Sequence, residues 1–223
     1  MAIGYPSNVL VVSDYEKYSF KERIPYRIDF VLSLGDNSMQ VLKDVYQKYR
    51  KPIFAIRGNH DGKTPFPDGI IDVHLQVDNY RNWSIGGFGG TLFNKDRGHN
   101  MWTDADAEYL LDQMPYCDIF ICHSPVARAT DKPESYAHQG SKAIRKYIRE
   151  KEPKFVYHGH VHKKLGTMIG NTAVVSVYGY KVVHLHWVAS VGDPRNPRRP
   201  FLQVEGRVRT PGVLSQHLRL LTK

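Results

Sequence analysis

"NVLVVSDYEKY", residues 8–18, begins as a short, branched, apolar run and stops at a carboxylate, Asp14. A run of that length without polar alternation reads as a strand buried on both faces. The pattern recurs in "IDFVLSL" (28–34), "PIFAI" (52–56), "DIFICH" (118–123) and "KFVYHG" (154–159). Helical patterns stand among them, at "SMQVLKDVYQKYR" (38–50), "TDADAEYLLDQM" (103–114) and "SKAIRKYIREK" (141–151). Thr103 and Ser141 occupy N-cap positions, and Asp106 sits where a capping box places its acid. Buried strands and helices in this order predict a layered α/β fold.

Past residue 160 the pattern shortens to "LGTMIG" (165–170), "TAVVSVYG" (172–179) and "YKVVHLHW" (180–187), the first two joined by Gly170 and Asn171 as a hairpin would be. The glycine-rich "NWSIGGFGGTLF" (82–93) lacks the spacing and the strand-to-helix setting of a dinucleotide fingerprint. It reads as a β-rich structural patch whose glycines let the backbone bend or approach closely, a loop near the rim of the site.

The 223 residues, 41% of them hydrophobic, can fill a core without a second domain. The net charge of +9 is uneven, because residues 187–223 carry seven Lys or Arg against two acids. The chain therefore divides into a domain over 1–187 and a basic Pro/Arg-rich tail over 188–223. Gly4, Pro6 and Asp14 interrupt any secretory signal, and no apolar run approaches a membrane span. A soluble, cytoplasmic protein with no membrane partner is expected. Cys117 and Cys122, at the two ends of an expected strand, are too far apart for a disulfide and read as small buried residues.

The polar residues at the strand ends decide the chemistry. Asp14 follows the first strand, Asp36 the second in "SLGDN", and Asn59, His60 and Asp61 the third in "RGNHD". His123 ends the fourth in "ICHSP", and His158, His160 and His162 follow the fifth in "HGHVH". C-terminal strand ends of an open α/β sheet converge on one crevice, so these side chains become neighbours. Carboxylates bridge and neutralise divalent cations, imidazoles suit Mn, Fe, Zn or Ni, and a shared carboxylate holds two metals about 3.5–4 Å apart. A hydroxide held between such metals attacks phosphate esters in line.

The order D, GD, GNHD, H, GHxH resembles the calcineurin-like metallophosphoesterase superfamily over about residues 8–186. "HSP" (123–125), "GSKAIRKYI" (140–148) and "GHVHKKLGTMIGNTAVVSVYG" (159–179) resemble the Icc-related predicted phosphoesterases. The resemblance implies a four-layer α/β/β/α sandwich with the metal site at the C-terminal strand ends. It implies two divalent ions, Mn2+ first and Fe, Ni, Zn or Mg as alternatives. Asp36 would bridge them, with Asp14 and His162 on one and Asn59, His123 and His160 on the other. His60 would touch the scissile phosphate or protonate the leaving oxygen.

Around this set other residues carry two readings each. Arg57 binds a phosphate oxygen or forms a surface ion pair; Asp61 steers His60 or caps its turn; His158 orients a ligand or packs in its strand. Ser141 opens a helix that offers an anion site, or is simply its N-cap, and His138 and Lys142 lie nearby as candidate substrate contacts. The first motif of most relatives is Asp-x-His, whereas Glu16 stands here in place of the imidazole. Glu16 then joins the metal as a hard ligand, or points away and leaves water or a single tightly held metal. "GDNSMQ" likewise offers Asn37 and Ser38 where some relatives place an acid that orients the catalytic histidine.

The expected function is hydrolysis of a phosphomonoester or phosphodiester, with a small phosphate ester as partner. A scaffold with weakened catalysis is one alternative. A nuclease using the basic tail and Tyr80, Trp83 and Trp102 is another, less favoured. Specificity is expected in rim loops at 61–82, 90–103 and 125–140.

Overall fold

The computed structural model describes residues 6–93 and 99–185. The expected tail, 188–223, lies outside the described residues. β1 (Ser7–Ser13) pairs in parallel with β2 (Phe30–Ser33), which continues through β3 (Ile53–Ala55) to β4 (Ile70–Asp72). On its other side β1 takes β13 (Gly179–Leu185) in antiparallel register, Ser7 opposite Leu185 and Ser13 opposite Gly179. This five-stranded sheet has the order β13-β1-β2-β3-β4.

The second sheet has six strands, β11 (Gly166–Ile169), β12 (Thr172–Ser176), β10 (Phe155–His158), β9 (Ile119–Cys122), β6 (Trp83–Phe88) and β5 (Val77–Tyr80). β12, β10, β9 and β6 run parallel, and the hairpins at Gly170 and at residues 81–82 attach β11 and β5 antiparallel. A small parallel pair, β7 (Thr91–Leu92) with β8 (Met101–Trp102), stands apart.

Alternation along the strands sorts the core. Val9, Val11, Phe30, Leu32 and Phe54 of the first sheet pack with Trp83, Ile85, Ile119, Ile121, Phe155 and Tyr157 of the second. The intervening Leu10, Val12, Val31, Ile53 and Ala55 turn the other way onto Val41, Leu42 and Val45 of α1 (Met39–Tyr49). Phe120, Cys122 and Val156 face Ala107 and Leu111 of α2 (Asp104–Asp112) and Ala143, Ile144, Tyr147 and Ile148 of α3 (Lys142–Lys151). Strands covered on both faces need apolar side chains at every position, which is why the sequence shows unbroken runs. The fold is mixed α/β, with helices outside and the two sheets packed face to face.

The caps follow the sequence. Ser38 accepts from Val41 N–H, Ser141 accepts from Ile144 N–H, and Thr103 with Asp106 forms a reciprocal capping box. Cys117 and Cys122 are both free and buried, as expected of them.

Three segments depart from expectation. Residues 83–88 are an inner strand of the second sheet and not a rim loop. Gly87 is required there: a Cβ would lie 2.8 Å from both Ile121 and Ile56 side-chain carbons. Strands β4 and β5 had no signal, since "IID" and "VDNY" are short and half polar. No helix among the described residues is long and apolar enough to cross a membrane.

Candidate metal centre

The parallel runs of both sheets bring their C-terminal ends to one edge. β1 delivers Asp14, β2 delivers Asp36, and the loop after β3 delivers Asn59 and His60. β9 delivers His123, and β10 leads into Gly159, His160 and His162. The sheets are stitched here, with His160 N–H donating to Asp14 Oδ2 at 2.9 Å and His123 Nδ1 donating to the Leu34 carbonyl at 2.8 Å.

Three glycines permit that approach. A Cβ on Gly35 would sit 2.3 Å from Gly58 N, one on Gly58 2.1 Å from Asp36 Oδ1, and one on Gly159 2.0 Å from Ser13 Oγ and 2.5 Å from Asp14 Oδ2. These are the glycines of "GD", "GNHD" and "GHVH", and each lets a backbone lie against a carboxylate or its loop. The backbone is also bent at four of the candidate side chains. Asp14 (φ 48°), Asp36 (φ 52°), His160 (φ 67°) and His162 (φ 49°) all adopt the left-handed region. Such conformations cost on the order of 1 kcal/mol each and cluster where a site dictates side-chain placement.

Asp14, Asp36 and His123 bring one donor atom each to within 4.8 Å of one another. His123 Nε2 stands 3.1 Å from Asp36 Oδ2 and 4.0 Å from Asp14 Oδ1, without hydrogen-bond alignment to either. With Nδ1 committed to Leu34, Nε2 is the atom left to bind something else. Burial alone would depress the His123 pKa, but the carboxylates of Asp14 and Asp36 override it and raise it to about 9. Burial would raise Asp14, yet His123, His162, Ser13 and the His160 amide hold it at about 2. Asp36 is lowered as well, the same burial penalty being outweighed by His123 and the His60 amide. The two carboxylates and the imidazole thus favour one another's charged forms, and a divalent cation can supply the same compensating charge.

The other candidates surround this triad. Asn59 is buried and its Oδ1 has no hydrogen-bond partner; its backbone carbonyl accepts from His99 N–H. His160 donates Nε2–H to the Ala137 carbonyl at 2.7 Å, and burial together with the His123 charge depresses it to about 4, so it is a neutral imidazole. His162 places Nε2 3.3 Å from Asp14 Oδ1, a bond that raises its pKa. His158 is fully buried, with Nδ1 on the Gly159 carbonyl and Nε2 unpartnered, and burial drives it down to about 4. Among the described residues four buried side-chain polar atoms lack a partner, and three belong to Asn59, His123 and His158. Unpaired buried donors and acceptors are costly, so their concentration at this edge fits a bound cation.

The remaining sequence candidates have other work. Asp61 Oδ2 accepts from Gly58 N–H and Asp36 N–H, both at 2.8 Å, which ties "GNHD" to "GD"; burial raises its pKa. Arg57 donates to the Gly62 and Thr64 carbonyls and lies 4.0 Å over the Phe66 ring, bracing the loop beyond His60. Ser141 is fully buried, capping α3 and donating to Asp104 Oδ1, and Asp104 also accepts from Lys142 and Ala143 N–H. Of the two readings of this helix start, anion site or plain N-cap, the cap is formed, and the Asp104 carboxylate occupies the amides beside it. His138, with Nδ1 paired to Ser135 Oγ, lies 5.3 Å from His160 ring to ring, so it does border the centre. Glu16 is exposed, and its Oε1 accepts from Tyr178 O–H.

Asn37 does not reach His60 with any of its hydrogen bonds and instead ties β1 to β2. It accepts from Tyr15 N–H and donates to the Val12 carbonyl and Ser33 Oγ. Three supporting residues had no sequence signal: Ser13, whose hydroxyl donates to Asp14 at 2.6 Å, Asn100, whose amide donates to the Gly58 and Asp61 carbonyls, and Tyr178. Asn100 and Tyr178 depend on an approach between distant segments, whereas Ser13 is the chain neighbour of Asp14. Trp83 lies buried between the sheets, Tyr80 packs on Phe30 and Phe54, and Trp102 packs on Phe88, so none of the three is displayed for base stacking.

Comparison with known proteins accords with this edge. The profile of the Metallophos family, calcineurin-like phosphoesterase, matches residues 10–164. No curated protein matches the chain. TT1561 of Thermus thermophilus superposes with a TM-score of 0.55 at 16% identity, over 80% of this chain and 94% of that one. A putative 5'-nucleotidase from Staphylococcus aureus, solved with alpha-ketoglutarate, gives 0.50 at 14% identity, over 86% of this chain and 52% of that one. At these identities the likeness is one of fold. Since the family profile spans more than half of the 223 residues, from within β1 to just past His162, the chain belongs to the calcineurin-like phosphoesterase family.

Proposed function

We propose that this protein hydrolyses a small phosphate ester, mono- or diester, with two divalent cations, manganese foremost, held by Asp14, Asp36, Asn59, His123, His160 and His162. The observation that carries the reading is the convergence of one buried and one half-buried carboxylate with a buried imidazole nitrogen that has no hydrogen-bond partner. Cations bound there supply charge that acidifies water and offsets charge on the transferring phosphoryl group.

The chain's own residues do the rest. Asp36 is fixed through three of its atoms: its N–H on Asp61, its Oδ1 under the His60 amide and its Oδ2 beside His123. Its position is therefore set by the loop after β3 and by the end of β9 in the other sheet. His60 is exposed while its backbone is anchored on Asp36, which leaves the imidazole free to meet an incoming ester and protonate the leaving oxygen. The neutral His160, hydrogen-bonded outward to Ala137, keeps Nδ1 as its available donor atom.

The test is cleavage of a panel of aryl phosphate mono- and diesters by the full chain with and without Mn2+. Asp36→Asn and His160→Ala should abolish turnover in folded protein. His60→Ala should retain metal and lose about 10²–10⁴ in rate. Near-native turnover in either ligand variant would sink the assignment.

One observation favours a second reading, a polynucleotide as the ester. A groove of about 550 Å³ is lined by Ala127, Arg128, Lys142, Arg145, Lys146, Arg149 and Glu150, with Lys146 already paired to Glu108 and Asp112. Salt-dependent binding of a single-stranded oligonucleotide, lost in Arg128→Ala/Arg149→Ala, would support it. The packed aromatic rings favour the small ester.

A further inference from the structure

Glu16 and Tyr178 come together across the mouth of the centre, from the loop after β1 and from the turn before β13. Tyr178 O–H donates to Glu16 Oε1 at 2.5 Å, and the Tyr178 ring lies on the His162 ring, centroids 4.9 Å apart and planes 20° apart. His162 in turn places Nε2 3.3 Å from Asp14 Oδ1. The series Glu16, Tyr178, His162, Asp14 is continuous.

His162 needs such support more than its neighbours. His123 is fully buried and pinned by the Leu34 carbonyl, and His160 is buried and pinned by Ala137. The His162 side chain is 51% exposed on a backbone bent to φ 49°, so its ring lacks protein walls on one side. An imidazole with that freedom loses rotamer entropy each time it binds a cation, and a stacked ring held at its far end removes most of that loss. Glu16 is exposed and its Oε1 is already taken by the Tyr178 hydroxyl.

We propose that Glu16 is a positioning residue and not a ligand: it anchors Tyr178, whose ring holds His162 in place beside Asp14. The proposal rests on the metal-centre reading above. It also assigns Tyr178, which no sequence motif marks, to the centre.

The test is calorimetric titration of the full chain with Mn2+, comparing Glu16→Ala, Glu16→Gln, Tyr178→Phe and the Glu16→Ala/Tyr178→Phe double variant. Glu16→Ala and Tyr178→Phe should each weaken the cation held by Asp14 and His162 about tenfold, as loss of an outer partner does. The double variant should lose no more than either single one, because both break the same hydrogen bond. Glu16→Gln, whose amide oxygen still accepts, should stay within about threefold of the native protein. Equal losses in Glu16→Gln and Glu16→Ala with native affinity in Tyr178→Phe would overturn the proposal and make Glu16 a ligand. Multiplying losses in the double variant would also overturn it.

If the native chain takes up no divalent cation, the metal reading fails, and the clamp is then judged on the metal-free protein by the His162 ring resonances. Glu16→Ala and Tyr178→Leu should both shift them and Glu16→Gln should not. Resonances unmoved by Glu16→Ala would refute the clamp by itself.

Discussion

Asp36 Oδ1 accepts the backbone N–H of His60 at 2.8 Å, so the bridging candidate and the candidate acid share one fastening. The other oxygen of Asp36 faces His123 Nε2 at 3.1 Å. Asp36→Asn keeps an oxygen for the His60 amide while removing the charge. It should fold with a melting temperature within a few degrees of native and lose more Mn2+ affinity than the roughly 10–100-fold typical of outer partners. Melting curves with calorimetry check both halves, and a large loss of stability would show the residue to be structural instead.

Gly159→Ala should damage the centre without touching a ligand. The new Cβ would fall 2.0 Å from Ser13 Oγ and 2.5 Å from Asp14 Oδ2, inside contact distance, so Asp14 must shift. Overpacking of this kind costs about 1–3 kcal/mol. Denaturant melts should show that loss, and Mn2+-dependent turnover should fall with it; native behaviour would mean that the sheets do not meet as closely as described.

Asp104 separates stability from chemistry. It takes up three donors at the start of α3: Ser141 Oγ at 2.7 Å, Lys142 N–H at 3.1 Å and Ala143 N–H at 3.2 Å. Asp104→Ala should cost about 1–2 kcal/mol, in the range of a lost helix cap, with kcat and KM unchanged at 25 °C. A raised KM would return Ser141 and this helix end to the substrate site.

Asp118 makes an acid limb of stability remote from the metal centre. Burial would raise its pKa, but Lys154 at 2.7 Å and the Ser84 N–H and hydroxyl more than offset that, leaving it below the usual 3.8. A lowered folded-state pKa means the stabilisation is complete above the unfolded value and disappears as pH falls through the folded one. Asp118→Asn should therefore cost about 1–2 kcal/mol at pH 7 and progressively less below pH 3.8, approaching nothing at the acid end. Urea melts at pH 7 and pH 3 compare the two; an equal gap at both values would contradict the ion-pair account.

What the sequence made legible, and what it hid, divides along physical lines. β1, β2, β3, β9 and β10 were readable because strands buried on both faces show unbroken apolar runs. Their terminal Asp, Asn and His residues were readable because parallel strands end on one edge. β6 was hidden because Gly86 and Gly87 supply space and not side chains, Gly87 leaving room for Ile56 and Ile121, so a buried strand looked like a loop. The capping box at Thr103 and Asp106 was visible since both partners lie within one turn. Asp104 at the α3 terminus was invisible since it comes from 37 residues upstream. The same holds for Tyr178, which reaches Glu16 across 162 positions, and for Ala137, which meets His160 across 23. Local patterns state which groups a segment offers, and tertiary approach decides what those groups touch.

The central claim is that Asp14, Asp36 and His123, with Asn59, His160 and His162 around them, hold divalent cations. The most direct test is anomalous X-ray scattering from crystals of the full chain grown with Mn2+. The account predicts two peaks with Asp36 between them, one on the Asp14 and His162 side and one on the Asn59, His123 and His160 side. An anomalous map with no peak within coordination distance of Asp36 would contradict it.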